Sequence, residues 1–326
     1  MHKFVLFTYA HACTQAATSR HATLEGHQGD VRCVATSGDG TIIVSGDVDG
    51  TLKVWGRDNC VCKFTVTRAH SGYGVGAIDI RGDGTVLVSG GWNGSAKVWG
   101  LAHGQAPTEL RTLTGHTGTV WCVKISPDGT KIASCSDDET VRIWSVQTGE
   151  ELQTLRGHEG YVWCVAWSPD SRLVASGGRD KIVRVWDVVG GTQATQPLRG
   201  HSGWVCGVAW GSSDARMLVS SGEDMTIIVW HLEGESATVM RTLRGHTELV
   251  RSVSLSPDDR FIVSGSHDKT VCVWEVATGQ RVRVLEGHTG GVLSVVWPRD
   301  GKCIVSGSWD KTVRMWEADE QVCACV

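Results

Sequence analysis

The sequence predicts an all-β protein, a seven-bladed β-propeller with four antiparallel strands per blade. Seven times along the 326 residues, a histidine preceded by glycine or alanine is followed 28 or 29 residues later by a tryptophan. These tryptophans recur every 42 to 45 residues, and a fixed period of this size is typical of repeat architectures. No segment has a sustained helical period, which excludes helical solenoids. The histidines are His27, His70, His116, His158, His201, His246 and His288, and the tryptophans are Trp55, Trp99, Trp144, Trp186, Trp230, Trp274 and Trp316.

One repeat shows why each strand is expected. In the unit that follows His116, the first strand is residues 120–125, a β-rich run that ends at a Ser-Pro-Asp-Gly turn. Proline presets φ in such a turn, and glycine accepts the left-handed region. The second, third and fourth strands are residues 131–135, 140–144 and 151–155, separated by Asp-Glu and Thr-Gly turns. Four short strands with turns between them form a meander, and stacking such sheets radially hides both of their apolar faces.

The beginning of the chain is expected to complete the last blade. Residues 23–25, Thr-Leu-Glu, precede a Gly-His pair just as residues 284–286, Val-Leu-Glu, do, so they indicate a fourth strand with no blade before it. Closure through residues 21–25 removes sheet edges that would otherwise be exposed. The alternative outer strand is residues 321–326. The predicted organisation is an N-terminal extension over residues 1–20, partly frayed or β, followed by the propeller over residues 21–326.

Charge and hydropathy argue against two classes of partner. The formal net charge of −4 and the pI near 6.3 leave no basic footprint for nucleic acid. No apolar run approaches the ~20 residues that a membrane-spanning helix needs, so no membrane association is expected. Residues 4–7 are apolar, but this block is short, which favours a β-forming or frayed tail over a signal peptide.

The twelve cysteines indicate free thiols rather than disulfides or metal ligands. Cys33, Cys122 and Cys164 occupy one repeat position, which is typical of small buried hydrophobic residues. Free thiols in a core favour a reducing compartment, so the predicted location is cytoplasmic, with the nucleus as an alternative. The Cys-x-Cys pairs at 60–62 and 323–325 are spaced more closely than the cysteines of most structural zinc sites. Neither a metal nor a cofactor is expected.

Two further repeat positions complete a family pattern. A serine lies ten residues before each repeat tryptophan, and an aspartate or asparagine lies six residues before it. With the Gly-His pairs, these positions make residues 21–326 resemble the WD40 repeat family, with distant similarity to G-protein-β-like and RACK-type scaffold proteins. Among the repeat tryptophans, only Trp186 is followed by aspartate. The serines are Ser45, Ser89, Ser134, Ser176, Ser220, Ser264 and Ser306, and the third set is Asp49, Asn93, Asp138, Asp180, Asp224, Asp268 and Asp310.

The resemblance implies that these residues are structural rather than catalytic. In the family, hydrogen bonds run from tryptophan through serine and histidine to aspartate and tie the loop between blades to the second and third strands. Seven copies of Ser, His and Asp, each with a tryptophan donor and none in a Gly-x-Ser-x-Gly turn, do not indicate a hydrolase triad. A phosphate-binding Gly-x-x-x-x-Gly-Lys-Ser/Thr loop is also absent from the sequence. We therefore expect no enzyme and no catalytic residue.

The second repeat departs most from the pattern. It has Ala69 in place of glycine, Asn93 in place of aspartate and one extra residue between His70 and Val75. Its connection between the third and fourth strands, residues 100–108, is the longest. Either the repeat has drifted, or its loops have been freed for recognition, since rigid scaffolds often carry binding residues on loops.

Three repeat positions are expected on one face, because in this family the loop between blades and the turn between the second and third strands rise around the central channel. The turn ring, just before the Asp or Asn, is Val48, Trp92, Asp137, Arg179, Glu223, His267 and Trp309. The loop ring, three residues after the repeat histidine, is Asp30, Tyr73, Thr119, Tyr161, Trp204, Leu249 and Gly291. The mouth ring, one residue past the valine that opens the first strand, is Arg32, Gly76, Trp121, Trp163, Cys206, Arg251 and Leu293.

This face carries the candidate partner-binding residues. Of the fifteen tryptophans, seven are repeat residues, and Trp167, Trp210 and Trp297 are expected in the core at the far end of first strands. The other five fall in the three rings, and Trp, Tyr and Arg are enriched in binding hot spots. One hypothesis is that a basic or aromatic side chain of a partner enters the aromatic centre by cation–π contact. The candidates are Arg32, Tyr73, Trp92, Trp121, Asp137, Tyr161, Trp163, Arg179, Trp204, Glu223, Arg251, His267 and Trp309.

The predicted function is a non-catalytic scaffold or adaptor, a monomeric propeller within larger complexes that binds proteins or peptide segments on this face. A first alternative is a G-protein-β-like or ribosome-associated signalling scaffold. Trp309 resembles the aromatic residue of the last blade in G-protein β subunits, but no heptad-bearing helix precedes the repeats in this sequence. A second alternative is the substrate receptor of a ubiquitin ligase, against which Trp186-Asp187-Val188-Val189 lacks the arginine of the Trp-Asp-x-Arg motif.

Overall fold

The computed structural model describes residues 21–102 and 104–318, which fold into seven antiparallel sheets built from 29 strands. The predicted N-terminal extension, the alternative strand at 321–326 and the Cys-x-Cys pair at 323–325 lie outside the described residues. The seven-bladed all-β prediction is confirmed, with blades numbered in the order of their repeat tryptophans. The described residues contain no helix long and apolar enough to span a membrane.

Four strands make each of the first three sheets, in meander order. Blade one contains β2 (Val31–Thr36), β3 (Ile42–Asp47), β4 (Leu52–Gly56) and β5 (Val61–Val66). Blade two contains β6 (Val75–Ile80), β7 (Val86–Gly91), β8 (Ala96–Gly100) and β9 (Thr108–Leu113). Blade three contains β10 (Val120–Ile125), β11 (Lys131–Ser136), β12 (Thr140–Ser145) and β13 (Glu151–Arg156). The strands predicted for the unit after His116 therefore lie within a residue of their observed ends.

The remaining sheets follow the same order. Blade four contains β14 (Val162–Trp167), β15 (Leu173–Gly178), β16 (Ile182–Asp187), β17 (Thr192–Gln193) and β18 (Leu198–Arg199). Blade five contains β19 (Val205–Trp210), β20 (Met217–Gly222), β21 (Thr226–Glu233) and β22 (Ser236–Arg244). Blade six contains β23 (Val250–Leu255), β24 (Phe261–Ser266), β25 (Val271–Glu275) and β26 (Arg281–Leu285). Blade seven contains β27 (Val292–Val296), β28 (Cys303–Ser308), β29 (Val313–Glu317) and β1 (His21–Leu24).

The outer strand of blade four is broken, unlike the single fourth strand that the repeat pattern predicts. Both β17 and β18 pair with β16, but the residues between them leave the ladder. Pro197 has no N–H to donate to a neighbouring strand. Gln196 donates its backbone N–H to the carbonyl oxygen of Glu235 in the next blade at 2.9 Å. The interruption therefore follows from the proline and from a contact with blade five.

The predicted closure by the N-terminal strand is confirmed. Strand β1 pairs antiparallel with β29, and Leu24 lies opposite Val313. Leu24 is 1% exposed and packs with Val31 and Trp55 of blade one as well as with Val313 of blade seven. Residues from the start of the chain thus join the last blade to the first.

The apolar core consists of seven clusters, one between each pair of neighbouring blades. Each cluster contains the repeat tryptophan of the later blade, as Trp99 does between blades one and two. The seventh cluster places Trp55 of blade one against residues of blade seven, so the ring closes with the same packing throughout. Trp167, Trp210 and Trp297 are buried in these clusters, as predicted.

Every blade contains the hydrogen bonds from tryptophan to serine and on to histidine. The indole Nε1 donates to the serine Oγ at 2.7 to 2.9 Å, and this Oγ lies 2.6 to 2.8 Å from the histidine Nε2. In blades three to seven the histidine Nδ1 donates to the predicted aspartate at 2.7 to 3.0 Å. These serines are fully buried, so no substrate can reach the Ser-His-Asp sets, and their role is structural.

In blade one the prediction that Asp49 accepts the hydrogen bond of the repeat histidine is wrong. The Nδ1 atom of His27 bonds to Asp47 at 2.7 Å, whereas Asp49 is exposed. Asp47 also accepts the backbone N–H groups of Asp49 and Thr51 at 3.0 and 2.8 Å. Asp47 occupies the position that is serine or glycine in blades two to seven counted from the tryptophan, and its carboxylate reaches the imidazole from there. A carboxylate two residues earlier therefore replaces the expected one.

In blade two a serine replaces the carboxylate. His70 Nδ1 lies 3.2 Å from Ser95 Oγ, and the Ser95 hydroxyl in turn donates to Asn93 Oδ1 at 2.9 Å. Burial, reinforced by the charge of Lys97, lowers the pKa of His70 to about 4.

In blade six the pKa of the repeat histidine shifts in the opposite direction. Burial lowers the pKa of His246, but hydrogen bonds with Asp268 and Cys272 outweigh the effect of burial and raise the pKa to about 9.

These two histidines should therefore affect stability with opposite signs as pH changes. Folded His70 binds fewer protons than the unfolded chain between about pH 6.5 and 4, so stability falls as pH drops through that window. The contribution of His246 is fully present below about pH 6.5 and is lost as pH rises through about 9. We expect Asn93→Asp to raise the pKa of His70 above its wild-type value, because a carboxylate stabilises the imidazolium. NMR titration of the His70 ring protons in both proteins checks this, and a His70 pKa in Asn93→Asp that is no higher than in the wild type would contradict it.

Candidate protein-binding face

A β-bulge in the first strand of every blade places the mouth ring. In all seven blades the pairing between the first and second strands skips the residue after the opening valine. A bulged residue is left out of the ladder and its side chain is redirected. All seven mouth-ring residues line one end of the central channel, whose volume is about 380 Å³. The repeated bulge is thus the device that turns these side chains toward the channel.

The turn ring and the loop ring are joined by one backbone hydrogen bond per blade. The turn-ring residue donates its N–H to the carbonyl oxygen of the loop-ring residue at 2.8 to 3.1 Å in six blades. In blade two Trp92 donates instead to Gly74, because the extra residue before Val75 shifts the loop by one position. Tyr73 is consequently displaced from its expected place, is 56% exposed and has its carbonyl beside Gly50 of blade one.

The first cluster of candidates surrounds Arg32. Its guanidinium carbon lies 5.8 Å from the centroid of Trp92 and 5.5 Å from that of Trp121, and the two rings are 6.2 Å apart. The Trp121 indole N–H donates to the carboxylate of Asp137. Trp92 can lie across the backbone of blade two because Gly76 has no side chain; a Cβ there would approach the ring to 3.2 Å. Side chains of blades one, two and three meet in this cluster.

The second cluster combines Tyr161, Trp163, Arg179, Trp204 and Arg251. Trp163 and Trp204 meet edge to face, with centroids 4.8 Å apart at 89°. Arg179 lies 5.4 Å from the ring of Tyr161 and 5.6 Å from that of Trp204. Arg251 lies 6.0 Å from Trp163 and donates to the carbonyl oxygen of Cys206 at 2.9 Å.

Three further candidates flank this second cluster and the channel. Glu223 accepts the backbone N–H of Trp204 at 3.2 Å. His267 and Trp309 pack with ring centroids 4.3 Å apart. Trp309 covers Gly291, where a Cβ would approach the ring to 2.8 Å, and it remains 40% exposed. The structure therefore brings twelve of the thirteen candidates together around the channel mouth and leaves Tyr73 apart.

The three arginines of this face contact aromatic rings rather than carboxylates. Arg32, Arg179 and Arg251 make no ion pair with a described carboxylate; their contacts are aromatic rings and one backbone carbonyl. Burial, and then repulsion from Arg251, lowers the pKa of Arg32 to about 10. Burial and Arg251 also lower the pKa of His267. The effect of Arg251 on both Arg32 and His267 indicates that the three groups share one electrostatic environment.

Two indole donors in the same clusters have no described acceptor. The Nε1 atoms of Trp92 and Trp163 are buried without a hydrogen-bond partner in the described part of the chain. Such donors are uncommon in folded proteins, and each costs roughly 1–3 kcal/mol. The mouth ring itself therefore carries two arginines and no carboxylate, and the clusters around it hold two indole N–H donors without a described acceptor.

The repeat positions in the sequence located these residues but did not predict the contacts among them. The hypothesis of cation–π contact with a partner requires open aromatic faces, whereas arginines of this chain already lie over Trp92, Trp121, Trp163, Trp204 and Tyr161. The signal was present in the mouth ring, where arginine and tryptophan occupy the same position in different blades. Within the described ranges, no group of three or more His, Cys, Asp or Glu side chains could hold a metal ion.

Comparisons with known proteins follow the repeats. The family profile described as "WD domain, G-beta repeat" matches residues 18–56, 59–100, 107–145, 149–187, 192–231, 237–275 and 279–317. Among curated proteins, nuclear distribution protein nudF 2 of Penicillium rubens is 35% identical over 144 residues, covering 39% of this chain and 30% of that protein.

Two further relatives match about one repeat each. Eukaryotic translation initiation factor 3 subunit I of Neosartorya fischeri is 49% identical over 41 residues, 13% of this chain and 12% of the relative. The WD40 repeat-containing protein HOS15 of Arabidopsis thaliana is 54% identical over 37 residues, 11% of this chain and 6% of the relative. The chain thus spans less than a third of the length of each of these three relatives. Since the family profile covers all seven blades, the chain belongs to the WD40 repeat family, whose propellers generally bind proteins and are generally not enzymes.

Proposed function

We propose that this protein is a non-catalytic interaction scaffold that binds an acidic segment of a partner protein across the channel mouth. The observation that carries the proposal is the pair Arg32 and Arg251: two half-buried cations at the mouth of one channel that repel each other and pair with no described carboxylate. An anionic side chain placed between them would relieve the repulsion and form charge-assisted hydrogen bonds.

The aromatic residues of the face favour an acidic partner over a basic one. A basic side chain needs an open ring face for cation–π contact, but arginines of the chain itself already lie over these rings. The arginines are also held in place by the rings, so little side-chain entropy remains to be lost when an anion binds. The indoles thus act as supports for the cations.

The arc formed by blades six, seven and one places two arginines on either side of an apolar residue. Arg251 and Arg32 belong to blades six and one, and Leu293 of blade seven occupies the mouth ring between them. Trp309, in the turn ring of the same blade, packs over Gly291 and is the most exposed tryptophan of the face at 40%. We infer that an acidic residue of the partner meets the arginines while a neighbouring apolar residue packs on Trp309.

A random peptide library displayed on phage tests this function. We expect selection on the wild-type protein to enrich peptides with Asp and Glu, and we expect Arg32→Gln/Arg251→Gln to lose them. Arg299→Gln is the matched control, since Arg299 is an exposed arginine at the other end of the channel. Enrichment of basic peptides, or equal recovery on the double variant, would count against the proposal.

Assembly into a larger complex is consistent with the relatives. One matched protein is, by its name, a subunit of a translation initiation factor. We propose by analogy that this chain too acts within a multi-protein assembly, with the G-protein-β-like and ribosome-associated signalling role as one form of that assembly. The ubiquitin-ligase receptor remains the second alternative, and nothing in the candidate face favours it specifically.

A further inference from the structure

Blade three differs from all the other blades at the channel wall below the mouth ring. In each blade, the residue two positions after the opening valine lies directly opposite a residue of the second strand. Five blades have glycine at the second-strand position and one has serine, but blade three has cysteine on both strands. The opposed pairs, in blade order, are Cys33 with Gly46, Ala77 with Gly90, Cys122 with Cys135, Cys164 with Gly177, Gly207 with Ser221, Ser252 with Gly265, and Ser294 with Gly307.

The geometry of this position explains the glycines. A Cβ on Gly46 would lie 2.9 Å from Cys33 Sγ, and a Cβ on Gly177 would lie 3.1 Å from Cys164 Sγ. The next blade crowds the same space, because these Cβ atoms would also lie 2.7 Å from Val75 and 2.4 Å from Val205. A side chain opposite the first-strand cysteine is therefore forced against its sulfur.

The same spacing is what a disulfide requires. In a disulfide the sulfur of one cysteine lies about 3 Å from the Cβ of the other, as bond lengths and angles dictate. The 2.9 and 3.1 Å separations in blades one and four have this size, although glycine there leaves no second thiol. In blade three both thiols are present, and Cys122 packs against the cluster that contains Cys135.

The two thiols differ in a way that gives each a chemical role. Cys122 is half-buried and lines the channel, whereas Cys135 is 0% exposed. A hydrogen bond with Cys135 lowers the pKa of Cys122 to about 7, against the effect of burial and with help from Lys124. Burial raises the pKa of Cys135 well above its ordinary value. Thiolates are the nucleophilic form of cysteine, so Cys122 is the one that reacts first.

We propose that Cys122 and Cys135 form an oxidation site, in which a peroxide that enters the channel converts the two thiols to a cross-strand disulfide. The Cys122 thiolate attacks one peroxide oxygen, the O–O bond breaks and hydroxide departs as the leaving group. Cys122 is then a sulfenic acid. The Cys135 sulfur then attacks the Cys122 sulfur, the S–S bond forms and the S–O bond breaks. Hydroxide takes up the released protons, so two thiols and one hydrogen peroxide give one disulfide and two waters.

Mass spectrometry of the full chain after hydrogen peroxide treatment and alkylation tests the site. We expect a disulfide-linked pair of peptides containing Cys122 and Cys135, with a mass lower by two hydrogen atoms and reversible by a thiol reductant. Cys164→Ser is the matched control, since Cys164 has the same channel position opposite a glycine, and this variant should still form the bond. Cys135→Ser keeps a hydrogen-bonding group beside Cys122 but cannot form the disulfide, and blade five already has serine at this position; this variant should fold, and its Cys122 should be trapped as sulfenic acid by a 1,3-dicarbonyl reagent.

The outcomes separate the site from general thiol oxidation. If Cys135 is still fully alkylated after unfolding of the oxidised protein, or if Cys122 pairs with Cys164 instead, the proposal is wrong. An unreactive Cys122 in the folded Cys135→Ser variant would likewise overturn the assigned order of attack, because Cys122 would then form no sulfenic acid for a second thiol to attack.

Discussion

Replacing Asp47 with alanine should destabilise the protein by about 3 kcal/mol, whereas Asp49→Ala should change stability by less than about 0.5 kcal/mol. Asp47 is 0% exposed and accepts hydrogen bonds from His27 and from two backbone N–H groups. Alanine would leave the buried imidazole of His27 and two partly buried backbone N–H groups without this acceptor, and an unsatisfied buried donor costs roughly 1–3 kcal/mol. Asp49 is exposed, so its loss leaves no such buried donor.

Urea unfolding of the two single variants beside the wild type measures this difference. The position six residues before the repeat tryptophan is Asp49, so the repeat pattern assigns Asp49 as the acceptor for His27. The structure assigns Asp47 instead, and the two assignments predict opposite results for this pair of variants. A result in which Asp49→Ala is the more damaging change would show that the first blade uses the aspartate of the register after all. The depressed pKa of Asp47, on which burial acts upward and His27 downward, adds that its contribution is present above about pH 4 and is lost as pH falls further.

Replacing Leu24 with aspartate should be the other most damaging change, at more than about 4 kcal/mol. Leu24 is 1% exposed between blades seven and one, and β1 supplies the outer strand of the last blade. A charge at this position removes apolar packing from both blades and detaches β1 from β29, which exposes the edge of β29. Glu25→Ala, at the exposed neighbouring position, is the matched control and should leave stability unchanged.

Thermal unfolding together with size-exclusion chromatography checks this prediction. We expect Leu24→Asp to unfold at a lower temperature and to form aggregates, because the open edge can pair with another chain. Wild-type behaviour of this variant would mean that β1 does not hold the ring closed and that another segment serves as the outer strand.

The repeat determined what could be predicted about the fold. Positions that recur seven times locate the blades, the repeat tryptophans and the closing strand, because packing between neighbouring blades imposes the same demands on every unit. Local departures were harder to predict. The broken strand in blade four depends on Pro197 and on a bond to Glu235 of the next blade, and the second of these is a contact between repeats that the repeat pattern does not contain.

The candidate site shows the same division. The three registers placed twelve of the thirteen candidate residues at the channel mouth, because they follow the scaffold. Tyr73 does not lie with the others, because one inserted residue shifts the loop of blade two. The backbone N–H of Trp92 therefore donates to the carbonyl oxygen of Gly74 instead of that of Tyr73. The pairing of Arg32 with Trp92 and Trp121 brings together residues of three blades, and no period along the chain reports which side chains meet across the channel.

The most direct test of the binding proposal is a fluorescence anisotropy titration with a labelled glutamate-rich dodecapeptide and its lysine-rich counterpart. We predict that the wild-type protein binds the glutamate-rich peptide more tightly, that added salt weakens this binding, and that Arg32→Gln/Arg251→Gln weakens it at least about tenfold while Arg299→Gln leaves it unchanged. Equal affinities of the wild type and the double variant, or tighter binding of the lysine-rich peptide, would contradict the account.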